Sequence, residues 1–398
     1  MPQQIHKLPL DLAGEFSRFR SRHKDRLHFA AHSHHFWPDV TRDAHLRYWD
    51  EAAELSDRKW EHILGSVWGD VSAEIARHLN LPDPKTLVPA PNTHELVSRI
   101  LSCLPPDRPA RILTSDSEFH SFARQSARLA EDGLVGVTTI PAEPFTSFAE
   151  RFADAGRAAP GFDLIYFSQV FFSSGFAIDR LDELVDEVAG RGAIVVVDGY
   201  HGFLARPTDL ANIADRIFYL AGGYKYAMAG EGACFMHCPP GVAPRPRNTG
   251  WYAGFGNLAG RQEGVDYDPA GWRFMGATFD PSGLYRMQAS LGWLAANHLD
   301  ARTIHGHARA LQDLFLKGLA GRPSSPVQSS TLLVQPDRMA AGNFLTFVDA
   351  RAGELFERLR RAGIEFDHRG DRLRAGFGLY HTAEDVELLV DRLGKLEP

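Results

Sequence analysis

Between residues 87 and 238, short unbroken apolar runs alternate with stretches whose apolar positions recur at helical spacing. The runs are LVP at 87–89, RILTSD, VGVTTIPAE, FDLIYFSQV, Ile194 to Val197, Ile217 to Ala221, and GACFMHC. Their length and continuity are those of strands buried on both faces of a sheet. Among the intervening stretches, APNTHELVSRILSCL places apolar residues at 96, 97, 100, 101 and 104 behind an Asn92 or Thr93 N-cap, and LDELVDEVAGRG ends on a glycine stop. A helix-like stretch with Asp215 near its end is expected between the runs at 194 and 217. This alternation predicts an α/β chain with a mostly parallel central sheet covered on both faces.

Outside this region the pattern changes. Residues 1–60 read as an arm and then an amphipathic helix around Leu46, Trp49 and Leu55, packing with a small domain. A Pro-rich connection, PPGVAPRPRN, follows residue 238. From about 285, LYRMQASLGWLAANHL reads as a long helix leading into NFLTFVDA, a helix around LFERLRRAG, IEFDHRGDRLRAGFGLY and a last helix. The expected organisation is therefore an arm and helix (1–60), a large domain (61–285) and a small C-terminal α+β domain (286–398).

Composition narrows the class. A net charge of −7 over 398 residues, with basic residues scattered, argues against nucleic acid or an anionic membrane as partner. Three cysteines are too few for a disulfide framework, and the C-x3-C pair Cys234 and Cys238 lacks a second ligand pair for zinc. The start, MPQQIHKLPLDLAGEF, has no basic segment leading into an apolar one, and no run approaches spanning length, so a cytoplasmic location is expected. The stretch G-F-G-N-L-A-G within 249–260 lacks dinucleotide-binding spacing, and no phosphate-loop motif occurs.

The candidate chemistry gathers where strands leave the sheet, the rim at which open α/β sheets bind ligands. Asp198 ends one buried run and Lys225 follows the next, so both reach that rim. The pair suits pyridoxal phosphate, which needs a lysine to hold it as a Schiff base and a carboxylate to keep its ring nitrogen protonated as an electron sink. His201 stands three residues after Asp198, Tyr224 and Tyr226 flank Lys225, and glycines at 222, 223, 230 and 232 allow close backbone approach. The helix start at Asn92 and Thr93 offers N–H groups to an anion such as a cofactor phosphate. Ser168 and Gln169 end a further run, and Phe119 is placed either to stack on a flat ring or to join the core. A rival reading comes from HFAAHSHHFWP, where the H-x-H spacing of His32 and His34, with His35, could serve a metal-dependent hydrolase, although no matching third and fourth ligands stand out.

These motifs resemble, in the same order from about residue 28 to 392, the class V aminotransferase group of fold type I pyridoxal phosphate enzymes, and kynureninase most closely within it. FSQVFFSSG resembles the serine-bearing strand and loop, which implies a cofactor contact for Ser168. VVDGYHGFLARPTDL resembles the D-x-x-H segment, assigning Asp198 to the ring nitrogen with His201 beside it. GGYKYAMAGEG resembles the S-Y-K-Y-x-x-A-G-x-G segment, making Lys225 the Schiff-base lysine and Tyr224 a phosphate contact and candidate proton donor. PNTHELV and EFHSFA resemble the phosphate-binding helix start and the ring-stacking segment, implying roles for Asn92, Thr93 and Phe119. TGWYAG resembles the G-W-x-G loop, so Trp251 would reach the phosphate, and Thr278 joins the implied cofactor contacts. FDHRGDRLRAGFGLYHTAEDV resembles the stretch whose arginine clamps the substrate α-carboxylate, here Arg374, a task suited to a planar guanidinium, whereas Arg369 and Arg372 are expected in solvent.

Departures fall on the substrate side. Where kynureninase has a G-N-S-L-G arm this chain has His32, Ser33, His34 and His35, and Asp280 stands where it has Asn before Pro. Its G-H pair is missing from the first helical region. His34 and Asp280 are therefore taken as substrate-facing. The resemblance implies a homodimer in which Lys225 removes the α-proton of an amino acid and Asp198 keeps the ring cationic. Water would then add to a side-chain ketone, the β,γ carbon–carbon bond would break, and alanine and an anthranilate would leave. The alternative is transamination with a keto acid. Cysteine desulfuration is disfavoured because no cysteine follows residue 238, in the part of the chain where a persulfide-bearing loop would be expected.

Overall fold

The computed structural model describes residues 7–190, 192–242, 244–257 and 264–396. The seven apolar runs form one sheet of strands β1 (Leu87–Ala90), β2 (Ala110–Ser115), β3 (Val135–Ile140), β4 (Leu164–Ser168), β5 (Ile194–Asp198), β6 (Phe218–Gly222) and β7 (Cys234–His237). Their order is β1-β7-β6-β5-β4-β2-β3. All neighbours are parallel except β7, which is antiparallel to both β1 and β6. The reason is chain length, since residues 223–233 are too few for the crossover that a parallel return requires.

Alternate residues of the central strands enter opposite layers. Ile165, Phe167, Val195 and Val197 join one apolar cluster, while Leu164, Tyr166 and Val196 join another. That two-residue period, with both layers buried, is why these strands read as continuous apolar runs. The helix expected around Asp215 does not form. Turns occupy 201–205 and 211–216, Leu204 takes a left-handed φ of 59°, and Pro207 interrupts the segment. Thr93–Leu101 is a helix whose Asn92 N-cap accepts from Glu95 N at 2.9 Å, a contact worth about 1 kcal/mol.

A second, three-stranded antiparallel sheet places Arg372–Gly376 between Asp367–Arg369 and Phe344–Val348. Helices Ala301–Ala320, Ala352–Arg361 and Ala383–Gly394 share its own apolar cluster. The arm joins this layer: Leu27–His28 pairs in parallel with Ile364–Glu365, and Ala30 bridges Gly376. Helix Val40–Leu55 lies on helix Ser282–Ala296. Leu46 and Trp49, read as part of its packing face, are 46% and 70% exposed, and Thr41 and Ala44 are buried instead. The last residues of G-F-G-N-L-A-G, 258–260, lie outside the described residues. Among the described residues no helix is long and apolar enough to cross a membrane.

The chain leaves β2 for the edge strand β3 and then crosses back to β4, so the sheet's order reverses between β2 and β4. The crevice beyond the strand ends at such a reversal is where a ligand fits. Ser115, Ser168 and Asp198 end the three strands that border it, with Ser168 and Asp198 in direct register.

Candidate active site

Beyond those strand ends lies a cavity of about 340 Å³. Asp198 and Lys225 both line it, together with Asn92, Thr93, Phe119, Ser168, His201, Tyr224 and Arg374. Nine of the expected site residues thus come from six separate stretches of chain to one enclosed space.

Lys225 is held from two sides. Its Nζ donates to the backbone oxygen of His32 at 2.8 Å and to Nε2 of His201 at 2.7 Å, and it lies 5.7 Å from the centre of the Tyr200 ring. Burial, and after it the positive charge of Arg374, brings the amine down to about 7, against the pull of Asp198. His201 is held well below its ordinary value by burial and then by Lys225, so its ring is neutral. Its other ring nitrogen, Nδ1, is buried without a hydrogen-bond partner among the described residues.

Asp198 accepts from Tyr166 Oη at 2.9 Å and from the backbone N of Tyr200 at 2.9 Å. These contacts and Lys225 oppose the upward push that burial exerts on its carboxyl. Tyr166 is fixed in turn by stacking on Phe122, centroids 3.7 Å apart. Next to this pair, Ser168 Oγ donates to Glu118 Oε2 at 2.5 Å, and Ser115 Oγ donates to Oε1 at 2.5 Å. Burial pushes Glu118 up to about 8 despite those hydrogen bonds. Across the cavity, the buried Arg374 donates to Phe172 O and to Asp367 Oδ2, while its Nε has no partner among the described residues.

Other expectations land elsewhere. His34 does not line the cavity; its Nδ1 lies 3.0 Å from Tyr224 Oη, so it reaches the site through that tyrosine. His35 is packed away, with Nδ1 on Phe36 O at 2.6 Å and Nε2 accepting from Leu379 N at 3.1 Å. His32 faces the cavity instead. The three histidines therefore diverge, and no group of three or more possible metal ligands occurs among the described residues. Arg369, expected in solvent, lines the cavity, whereas Arg372 bonds Ser173 and Glu143 outside it. Trp251, Thr278 and Asp280 are not brought to the cavity of a single chain. Trp251 is 42% exposed and stacked on Tyr252, Thr278 is exposed, and Asp280 caps Ser282 at 2.9 Å. The sequence reading missed Glu118, Tyr166, Tyr200 and Phe172. All four lie within quoted motifs, yet which way their side chains point is not carried by the motif alone.

The residues present fit pyridoxal phosphate. A buried amine and a buried carboxylate share the space, a capped helix start borders it, an aromatic ring lines it, and so does a histidine with one buried, unpartnered ring nitrogen. Comparison with known proteins agrees: residues 64–389 match the model of the family "Aminotransferase class-V". The chain is a fold type I pyridoxal phosphate enzyme by its layered sheet and site. It belongs to the class V aminotransferase family, and its cofactor is pyridoxal phosphate. Over 375 residues it is 29% identical to isopenicillin N epimerase of Streptomyces clavuligerus, covering 87% of this chain and 88% of that one. Cysteine desulfurase CsdA of Escherichia coli is 26% identical over 343 residues, 81% of each chain. Among solved structures, the cystine C-S lyase C-DES with its product cysteine persulfide aligns with a TM-score of 0.79 at 18% identity, covering 94% of this chain and 98% of that one. These relatives are epimerase and carbon–sulfur enzymes, so the family stands while the narrower likeness to kynureninase does not gain from them.

Proposed function

We propose that the chain removes the α-proton of an amino acid with the Lys225 amine and then releases part of the substrate side chain without using a protein thiol. The observation that carries this reading is a buried amine near neutrality sharing one cavity with Asp198 and Arg374. Bound there, pyridoxal phosphate supplies the electron sink that makes an α-proton acidic. Asp198, oriented by Tyr166 and Tyr200, holds the proton on the ring nitrogen. Phe119 would hold the ring's face, Asn92, Thr93 and Tyr224 the phosphate, and Ser168 and His201 the ring's edge, all of them residues that line the cavity. Arg374 pairs with the α-carboxylate, which turns the α-hydrogen toward Lys225.

Among the described residues none of the three cysteines lines the cavity, which separates this reading from chemistry that passes sulfur to a cysteine of the enzyme. The kynureninase-like form, hydrolysis of a β,γ carbon–carbon bond, follows the motifs. Epimerisation is the second reading, favoured by the 29% identical relative and by the His34–Tyr224 pair as a second proton-carrying group. Transamination shares the same first step. A homodimer in which a second copy brings Trp251 and Thr278 to the cavity is supported by their exposure in one chain.

The test is a panel of amino acids incubated with cofactor-loaded protein in D2O and followed by proton NMR. Alanine and anthranilate from kynurenine support the first form, and pyruvate from cystine supports carbon–sulfur cleavage. Deuterated substrate of inverted configuration supports epimerisation, and an absolute need for a keto acid points to transamination. No α-deuterium exchange with any amino acid would sink the proposal.

A further inference from the structure

His32 is fully buried, yet neither ring nitrogen has a hydrogen-bond partner among the described residues. An unpaired buried imidazole is costly unless something completes it. Its ring is fixed from two sides. One face stacks on Phe344, centroids 4.3 Å apart at 17°, and Nδ1 rests against Gly376, where a Cβ would fall 2.2 Å away. Nδ1 is thus closed off by backbone. Nε2 lies 3.7 Å from Asp367 Oδ2, beyond hydrogen-bond reach, and that same oxygen accepts from Arg374. Arg374 Nε is likewise buried and unpaired. Two residues on the wall of the cavity that also holds Lys225 thus carry buried nitrogens without partners among the described residues, and both approach Asp367 Oδ2.

We propose that His32 determines specificity for the substrate carboxylate, its Nε2–H serving with Arg374 Nε–H as a two-donor clamp. The inference rests on the reading of Arg374 as the carboxylate partner and adds a residue to it. A neutral ring suits the task, because it presents one N–H without a second full charge; burial, and then Arg374, holds His32 in that form. The clamp also ties recognition to chemistry. The backbone oxygen of His32 accepts from Lys225 Nζ, so one residue fixes both the carboxylate and the amine that faces the α-hydrogen.

The experiment titrates cofactor-loaded protein with L-alanine and with L-alaninamide, which lacks the carboxylate, following the visible absorbance of the bound cofactor. Wild type is expected to prefer the acid. His32→Phe keeps the stacked ring and removes both nitrogens; it is expected to weaken L-alanine by about tenfold or more while leaving L-alaninamide unchanged. If His32→Phe does not retain the cofactor absorbance, His32→Leu takes its place. An unchanged preference in the variant, or equal weakening of acid and amide, overturns the proposal. If wild type itself shows no preference for the acid, the assignment of Arg374 fails first and the clamp falls with it, an outcome distinguishable from failure of His32 alone.

Discussion

The amine of Lys225 lies 2.7 Å from Nε2 of His201 and 2.8 Å from the backbone oxygen of His32, to which it donates. These two contacts hold the amine in place at the cavity wall. Burial and Arg374 bring the amine down to about 7 from the usual 10.5. Below that pH the amine is protonated and cannot attack an aldehyde; above it the neutral form dominates. The rate at which apoprotein gains visible absorbance on mixing with pyridoxal phosphate should therefore rise through about pH 7 and level off, rather than climb toward pH 10. Arg374→Gln removes a nearby positive charge and should move the midpoint upward.

Asp198 depends on Tyr166 and the Tyr200 amide for its two hydrogen bonds. Asp198→Asn keeps the shape and removes the charge, so the ring nitrogen loses its proton partner. Turnover is expected to fall roughly 10²- to 10³-fold, the size of one well-placed electrostatic contact. Tyr166→Phe removes one of the two hydrogen bonds and leaves the carboxylate, so its cost is about 1 to 2 kcal/mol, near tenfold. Turnover of the best substrate in the panel, measured with equilibrium cofactor binding, checks the order. Equal losses in the two variants would mean that the charge of Asp198 is not what matters.

The inner strands were readable because burial on both faces leaves an unbroken apolar run, whereas the edge strand β3 is largely exposed, and Asp198 and Lys225 followed from where the inner runs end. Direction was less readable. β7 carries the same apolar signature as its neighbours, and only the eleven residues of its connection reveal that it runs the other way. The stretch before β6 has helical spacing at Leu210, Ile213 and Ala214, all buried, but its backbone meets the core through turns. In the arm, residue type marked three histidines as candidates and could not say which faces inward. That was decided by the pairing of Leu27–His28 with Ile364–Glu365 and by the bridge from Ala30 to Gly376, contacts more than 300 residues apart in sequence. Glu118 was passed over for a related reason: Ser115 is three residues away, but Ser168, fifty residues on, meets it only through the order of the sheet.

Glu118 carries a pH signature of its own. Its carboxyl, with an ordinary value of 4.5, is pushed up to about 8 in the folded chain by burial. A group raised on folding contributes its full stability below its unfolded value and loses it as pH rises through the folded value. Glu118→Gln does not titrate. The stability of wild type relative to this variant, measured on apoprotein by urea unfolding, should therefore decline between about pH 4.5 and pH 8 and flatten above. The slope should be at most about 1.4 kcal/mol per pH unit. A difference that does not change across that window would show that Glu118 is already ionised in the fold.

The cysteines supply the last prediction, because the proposed reaction uses no protein thiol. Cys234 and Cys238 are buried, and none of the three thiols lines the cavity. Burial pushes both Cys103 and Cys234 up to about 12 and raises Cys238 as well, so each stays a protonated, unreactive thiol at neutral pH. Iodoacetamide at pH 7 should leave cofactor absorbance and turnover within about twofold of untreated protein, because alkylation requires the thiolate. Cys103→Ser, at the one thiol that is not fully buried, should likewise retain turnover. Loss of activity on alkylation, prevented by substrate and abolished in Cys103→Ser, would instead place a sulfur nucleophile in the reaction and return the chain to persulfide chemistry.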